Sequence, residues 1–528
     1  MAFDAIASYA FVNGVVVAKD AAGIVLQTYA MYPFTPNSFT YVGTVSGLTY
    51  TSVGPVNVAS IDMPGALALG WTQIQSNSFS SNLPSLSTSN RYLKPSRTGI
   101  RLYSGVSGAQ VTNASSFGYV SGTAPNIVFS TMCDLETDFD QIALVFGNNS
   151  TTNTVSIGPV TLAVGGNASD TTNNTGFSSG VSLTFGGAIT TTIGIATQSN
   201  GASGFLPTLL VSDFVSISSV DRTDIVGARP LLYTRVNFTP ASATTQITTQ
   251  KFVGSDFGSG SGAGIYGRWN LAVFAGTAAP VTTGTWPGSA AITQWYSPPL
   301  GILYKSRYGR VLSYVAFGDS ITAGAGTNTG MSWAEKASQY FMVNSSGGSL
   351  TAKAPYPVES SKMAVSGTHN TDFDISYNTL VAAGILPNVV VYSSYTPNSL
   401  GNITAWQQGT ANTLAKCDNN FQYPIVWTGL PTGPSFVTNS LANDQIRLKY
   451  NNQLLQADAH VVDMSTALTD FVNLQSTGAY QMIASYTAGA ATSPGLHPNN
   501  LGDTQMATTF STQALVPLTQ MYYGGKTT

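Results

Sequence analysis

A serine stands where an apolar run ends, in Tyr314-Val315-Ala316-Phe317-Gly318-Asp319-Ser320, and Ile321-Thr322-Ala323-Gly324 then leads toward a helix. At such a strand-to-helix turn the serine's own backbone N–H stays free to meet an oxyanion developing on an attacked carbonyl. Its hydroxyl needs a neighbouring base to act as a nucleophile. The chain offers three histidines, His369, His460 and His497. His497 lies in Gly495-Leu496-His497-Pro498-Asn499-Asn500-Leu501-Gly502, a loop just before the last predicted helix, and is the preferred base. His369 reads as a loop histidine near the cleft, and His460, at the head of an apolar run, as structural. Asp319 also reads as structural, bonding local N–H groups. Gly176-Phe177-Ser178-Ser179-Gly180 matches another serine-hydrolase pattern, but it runs into strand-like Val181-Ser182-Leu183-Thr184-Phe185 and is read as a chance match. No His-x-x-x-His pair or carboxylate cluster indicates a metal, and no cofactor is expected.

The elements that must position these residues alternate from about residue 306. Apolar runs at Tyr314–Phe317, Asn388–Tyr392, Pro424–Trp427 and His460–Asp463 predict four buried strands. Helices are predicted over Met331–Asn344, with Trp333, Ala337, Tyr340 and Phe341 on one face, and over Ile403–Lys416. Two more follow, one capped by Ser440 and running to about Gln456, the other over Asn500–Leu515. Uninterrupted apolar strands alternating with helices mean a parallel sheet covered on both faces. Ligands of such sheets sit beyond the carboxyl ends of the strands, where Ser320 falls.

Four blocks of this region resemble the GDSL, or SGNH, hydrolase family. They are Phe317-Gly318-Asp319-Ser320-Ile321-Thr322, Val365-Ser366-Gly367-Thr368, Pro397-Asn398 and His497-Pro498-Asn499, in the family's order. The resemblance covers the last 220 or so residues, roughly one domain's length, and implies a carboxylic ester hydrolase. In it Ser320 attacks the ester carbonyl, and His497 takes the serine proton and passes it to the leaving alcohol. The oxyanion is held by the N–H groups of Ser320 and Gly367 and by the side-chain amide of Asn398. The family's aspartate, three residues before the histidine, is replaced by Pro494. The carbonyl of Ser493 and the carboxylate of Asp463 are the candidates for orienting the His497 ring.

Residues 1 to about 300 read as β throughout, with short runs such as Gly99-Ile100-Arg101-Leu102-Tyr103 and Gln141–Phe146 between turn signals. The tract Asn148–Asn174 reads as loops, and Gly258–Gly262 as a loop tip. The fold expectation is therefore multidomain. Residues 1–90 form a small β-rich attachment or oligomerisation domain, 91–305 a β-sandwich or jelly-roll-like module, and 306–528 an α/β SGNH hydrolase domain with a parallel sheet flanked by helices.

Only 8% of the 528 residues are charged, with net charge -3, where about 25% is usual for a soluble domain. Without a basic patch there is no electrostatic case for a nucleic-acid partner. No apolar stretch is long enough to insert in a membrane, and the N-terminus lacks the basic region of a secretory signal. Cys133 and Cys417 lie too far apart in sequence to suggest a metal knuckle or a disulfide framework. The uncharged polar surface and the large β part are similar to those of bacteriophage tail spikes and receptor-binding proteins. That resemblance implies a trimeric virion or extracellular protein, contacting tail or baseplate proteins and deacetylating a bacterial surface polysaccharide, capsule or O-antigen. Rival expectations are an SGNH scaffold kept for glycan binding, a secreted bacterial carbohydrate esterase, and a long-chain lipase.

Overall fold

The computed structural model describes residues 93–103, 110–167, 177, 180–202, 204–251, 268–276, 296–327, 332–338, 353, 356–434, 436, 440–457, 460–488 and 495–524, and the backbone of short strands between residues 8 and 73. Ser493, Pro494, the Gly258–Gly262 tract and the boundary at residue 90 lie outside the described residues.

Between residues 98 and 306 two antiparallel sheets face each other. One runs in the order Thr208–Val211, Phe139–Asn148, Gly301–Ser306, Thr98–Leu102. The other runs Val181–Leu183, Val155–Gly165, Leu231–Thr239, Asn126–Asp134, Arg268–Gly276. Phe129, Leu162 and Val236 of the second sheet share a core with Ile142, Leu144 and Ile302 of the first. Val155–Gly165 falls in the tract expected to be loops. Its inward residues Val155, Ile157, Val160 and Leu162 break strict alternation at a register shift between Ile157 and Val160, which hid the period of two.

The chain then builds a sheet of β1 (Leu312–Gly318), β2 (Val358–Ala364), β3 (Val389–Ser393), β4 (Tyr423–Trp427) and β5 (Val461–Val462). All pairs are parallel, in the order β2-β1-β3-β4-β5. In that order the winding reverses between β1 and β3, which opens a crevice beyond their carboxyl ends. The helices used below are α1 (Ser320–Ala323), α2 (Trp333–Ala337), α3 (Asn370–Ala382), α4 (Ile403–Asn419), α5 (Leu441–Ala457), α6 (Met464–Leu468) and α7 (Asn500–Phe510). Among described residues the helix expected over Met331–Asn344 is the short α2. The last helix gives way after Phe510 to a π turn, Ser511–Leu515, before resuming at Val516.

Strand β2 escaped the sequence reading because Val358-Glu359-Ser360-Ser361-Lys362-Met363-Ala364 has no apolar run, yet every residue is buried. Its polar side chains find partners outside the strand. Glu359 accepts from Arg101 Nε at 2.9 Å and from the Tyr304 hydroxyl at 2.7 Å. Ser361 Oγ accepts from Leu102 N at 2.8 Å and donates to Ile100 O at 3.1 Å. Behind them Arg101 also meets Glu136, while Arg229 pairs with Asp134 at 2.8 Å and Glu136 at 2.9 Å. Ile100, Leu102, Val145 and Leu303 from the β part join Val315, Phe317, Phe373 and Val390 in one hydrophobic cluster. The two regions are therefore joined by a common core and a buried charge network.

Candidate active site

Ser320 is the first residue of α1, placed where β1 ends. Asp319 caps the helix, its Oδ1 accepting from Ile321 N at 2.9 Å. The helix starts so close behind the strand that a Cβ on Gly318 would lie 2.1 Å from Thr322 Oγ1, so only glycine fits there. At its other end Lys362 Nζ, reaching over from β2, donates to Ala323 O at 3.1 Å.

His497 Nε2 lies 2.8 Å from Ser320 Oγ, and both residues are buried. The His497 loop is fastened on both sides. Ala488 N donates to His497 O at 2.9 Å, and Asn499 N to Tyr486 O at 2.8 Å. The Asn499 side chain caps α7 through Leu501 N and Gly502 N, and its amide donates to Ser485 O and Thr487 O. Gly326, with φ +90°, abuts this loop. A Cβ there would lie 2.7 Å from Pro498 O and 2.9 Å from His497 Cβ.

The blocks containing Gly367 and Asn398 follow β2 and β3, flanking Ser320. Gly367 has φ +84°, a conformation that L side chains rarely adopt. Asn398 Nδ2 donates to Thr368 O at 2.9 Å and to Thr396 Oγ1 at 3.1 Å. Thr396 Oγ1 in turn donates to Asp319 Oδ2. One chain of hydrogen bonds thus ties the ends of β1, β2 and β3 together, with Asp319 as its buried anchor. In this state the Asn398 amide acts as a brace, and donating to an oxyanion means releasing the longer bond, to Thr396. Burial raises the Asp319 pKa above the usual carboxylate value, while the Thr396 and Ile321 hydrogen bonds and attraction to His497 oppose that rise.

The remaining candidates lie as follows. His369 is exposed at the head of α3, its Nδ1 2.6 Å from Ser399 Oγ and its N–H on Asp372 Oδ2. His460 packs against Tyr423, and burial lowers its pKa. Asp463 caps α6, its Oδ1 accepting from Thr466 N and from Thr428 Oγ1. Lys362, Thr396 and Gly326 escaped the sequence reading, since their partners are distant in sequence. Of the three, only Gly326 left a trace, in the run Gly324-Ala325-Gly326 just after the serine block.

No family model matches the chain, and no curated protein matches it in sequence. Among solved structures it is similar to a Clostridium thermocellum family 3 carbohydrate esterase, at 15% identity over 40% of this chain and 100% of that one, TM-score 0.27. It is also similar to a member of the lipolytic protein G-D-S-L family from Veillonella parvula, at 19% identity over 38% and 96%, TM-score 0.26. A third likeness is to the lipase/acylhydrolase from Enterococcus faecalis, at 16% identity over 38% and 94%, TM-score 0.26. At TM-scores this far below 0.5 the likenesses are descriptive, and the functional reading rests on the site's geometry.

Proposed function

We propose that this chain is a serine-dependent carboxylic ester hydrolase of the SGNH kind that removes O-acetyl groups from a bacterial surface polysaccharide. The observation that carries the reading is the 2.8 Å approach of His497 Nε2 to Ser320 Oγ at the carboxyl end of a parallel sheet. Ser320 Oγ attacks the ester carbonyl while His497 Nε2 accepts its proton, and the oxyanion forms beside the N–H groups of Ser320 and Gly367. Collapse of the intermediate breaks the bond to the alcohol oxygen, which takes the proton from His497. Water then attacks the acyl-serine with the same histidine as base, releasing the carboxylic acid and restoring Ser320. Asn398 holds the strand ends in place and can lend an amide hydrogen to the oxyanion. The buried Asp319 carboxylate favours the imidazolium, a charge complement in a chain with proline at the family's aspartate position.

The low charge and large β part support placing this esterase on a phage tail spike or another extracellular assembly, with a trimer as the expected form. The test is acetate release from O-acetylated bacterial polysaccharide by the native chain, Ser320→Ala and His497→Ala, with solution mass measured alongside. Release abolished by either substitution supports the reading. Equal release from all three chains, or none from the native chain on any such polymer, overturns it.

A further inference from the structure

The β-sandwich reaches the site through a single turn. Ser199 and Phe205 pair across it, Asn200 N donates to Gly204 O at 3.0 Å, and Leu206 N to Gln198 O at 2.9 Å. Inside the turn Asn200 Oδ1 accepts from Ala202 N at 2.9 Å and Gly204 N at 3.1 Å. The turn leads through buried Leu206 into strand Thr208–Val211, whose Leu209 and Val211 pack on the core common to both regions. Its tip lies against the α/β region. Gly201, with φ +79°, is pressed onto Asp372 of α3, so that a Cβ there would lie 2.3 Å from the carboxylate carbon. A Cβ built on Gly367 would meet the Ala202 methyl at 3.8 Å, an ordinary van der Waals contact. Ala202 therefore borders the oxyanion glycine.

The position of that contact decides which part of an ester it meets. A tetrahedral intermediate has four substituents: the serine oxygen, the oxyanion, the leaving alcohol and the acyl group. The alcohol must leave from the His497 end, because His497 protonates it, and that end is closed by Gly326. The turn touches Gly367 instead. We infer that the Ser199–Phe205 turn is the acyl-side wall of the cleft and that Ala202 limits the acyl group to short chains. This rests on the esterase reading and deepens it: the β part is a specificity element of the enzyme, and its substrates are short-chain esters such as acetates.

The test uses the full chain with 4-nitrophenyl acetate, butyrate and hexanoate, together with labelling of Ser320 by a small methyl-substituted fluorophosphonate. Ala202→Leu extends the wall over Gly367. It is expected to lower kcat/KM for butyrate relative to acetate by about tenfold, the usual discrimination for a methylene or two in an apolar pocket. Asn200→Ala removes the acceptor that holds the turn and is expected to shift the same ratio the other way, toward longer acyl groups. Ser320 labelling stays near the native rate in both variants. Unchanged acyl-chain profiles in both variants, with an active native chain, overturn the inference and leave the esterase reading standing. A native chain that neither hydrolyses any of the three esters nor labels at Ser320 overturns both.

Discussion

In the α/β region the polar groups that matter gather at strand ends, where Asp319, Thr396, Asn398 and Thr368 O are strung on short hydrogen bonds around Ser320. In the β part the buried polar groups gather on the face that meets β2, where Arg101, Arg229, Asp134 and Glu136 surround Glu359. Both clusters are almost dry, so an unpaired member of either is costly. They differ in what depends on them. The first orders atoms that touch a substrate, and its disturbance falls on rate. The second holds two regions in one core, and its disturbance falls on stability.

Four outcomes would break or sharpen that contrast. The largest is loss of hydrolysis in Ser320→Ala or His497→Ala, on the order of 10⁴-fold or more in kcat, since nucleophile and base act as a unit. Neither variant should change the urea midpoint appreciably. Next, Arg101→Met leaves Glu359 with only the Tyr304 hydroxyl and should cost about 3–5 kcal/mol in urea unfolding. Its kcat at low temperature, in the protein still folded, should stay near native. A large kcat loss without destabilisation would erase the contrast.

Gly326→Ala comes third. The added Cβ pushes on Pro498 O and His497 Cβ, and a misplacement near 1 Å costs roughly 10²-fold in rate. The expected signature is a drop in kcat with KM little changed. The smallest effect concerns Asp503, which pairs with Lys336 at 2.7 Å and accepts from Trp333 N, tying α7 to α2. Burial pushes its carboxyl up to about 6 from a usual value near 3.8. A raised carboxyl stabilises the fold when protonated, so its contribution is full below pH 4 and is lost as pH rises through 6. Thermal unfolding of Asp503→Asn should therefore vary less with pH across that window than the native protein.

The contrast also explains what could be read from the sequence. Ser320, Gly367, Asn398 and His497 were legible because each sits in a short block next to an apolar run or a helix start, where local pattern and chemistry coincide. The strands Val389–Ser393 and Tyr423–Trp427 were legible for the same reason, as runs buried on both faces. Strand β2 was not, because Glu359, Ser361 and Lys362 are buried against partners as far away as residues 100 to 102. Helix α3 was missed too: Asn370-Thr371-Asp372-Phe373-Asp374 looks like a loop, and its buried Phe373, Tyr377 and Leu380 acquire an apolar partner only in the common core. The turn at Ala202 carried no signal, since its meaning lies in a contact with Gly367 across the two regions.

The central claim is that Ser320 is a nucleophile activated by His497. Its most direct test is stoichiometric reaction of the native chain with a fluorophosphonate probe, followed by mass mapping of the modified peptide. The account predicts one probe per chain, on Ser320, with labelling abolished in Ser320→Ala and strongly slowed in His497→Ala. Labelling of another serine such as Ser178, or equal labelling rates in the native chain and His497→Ala, would contradict it.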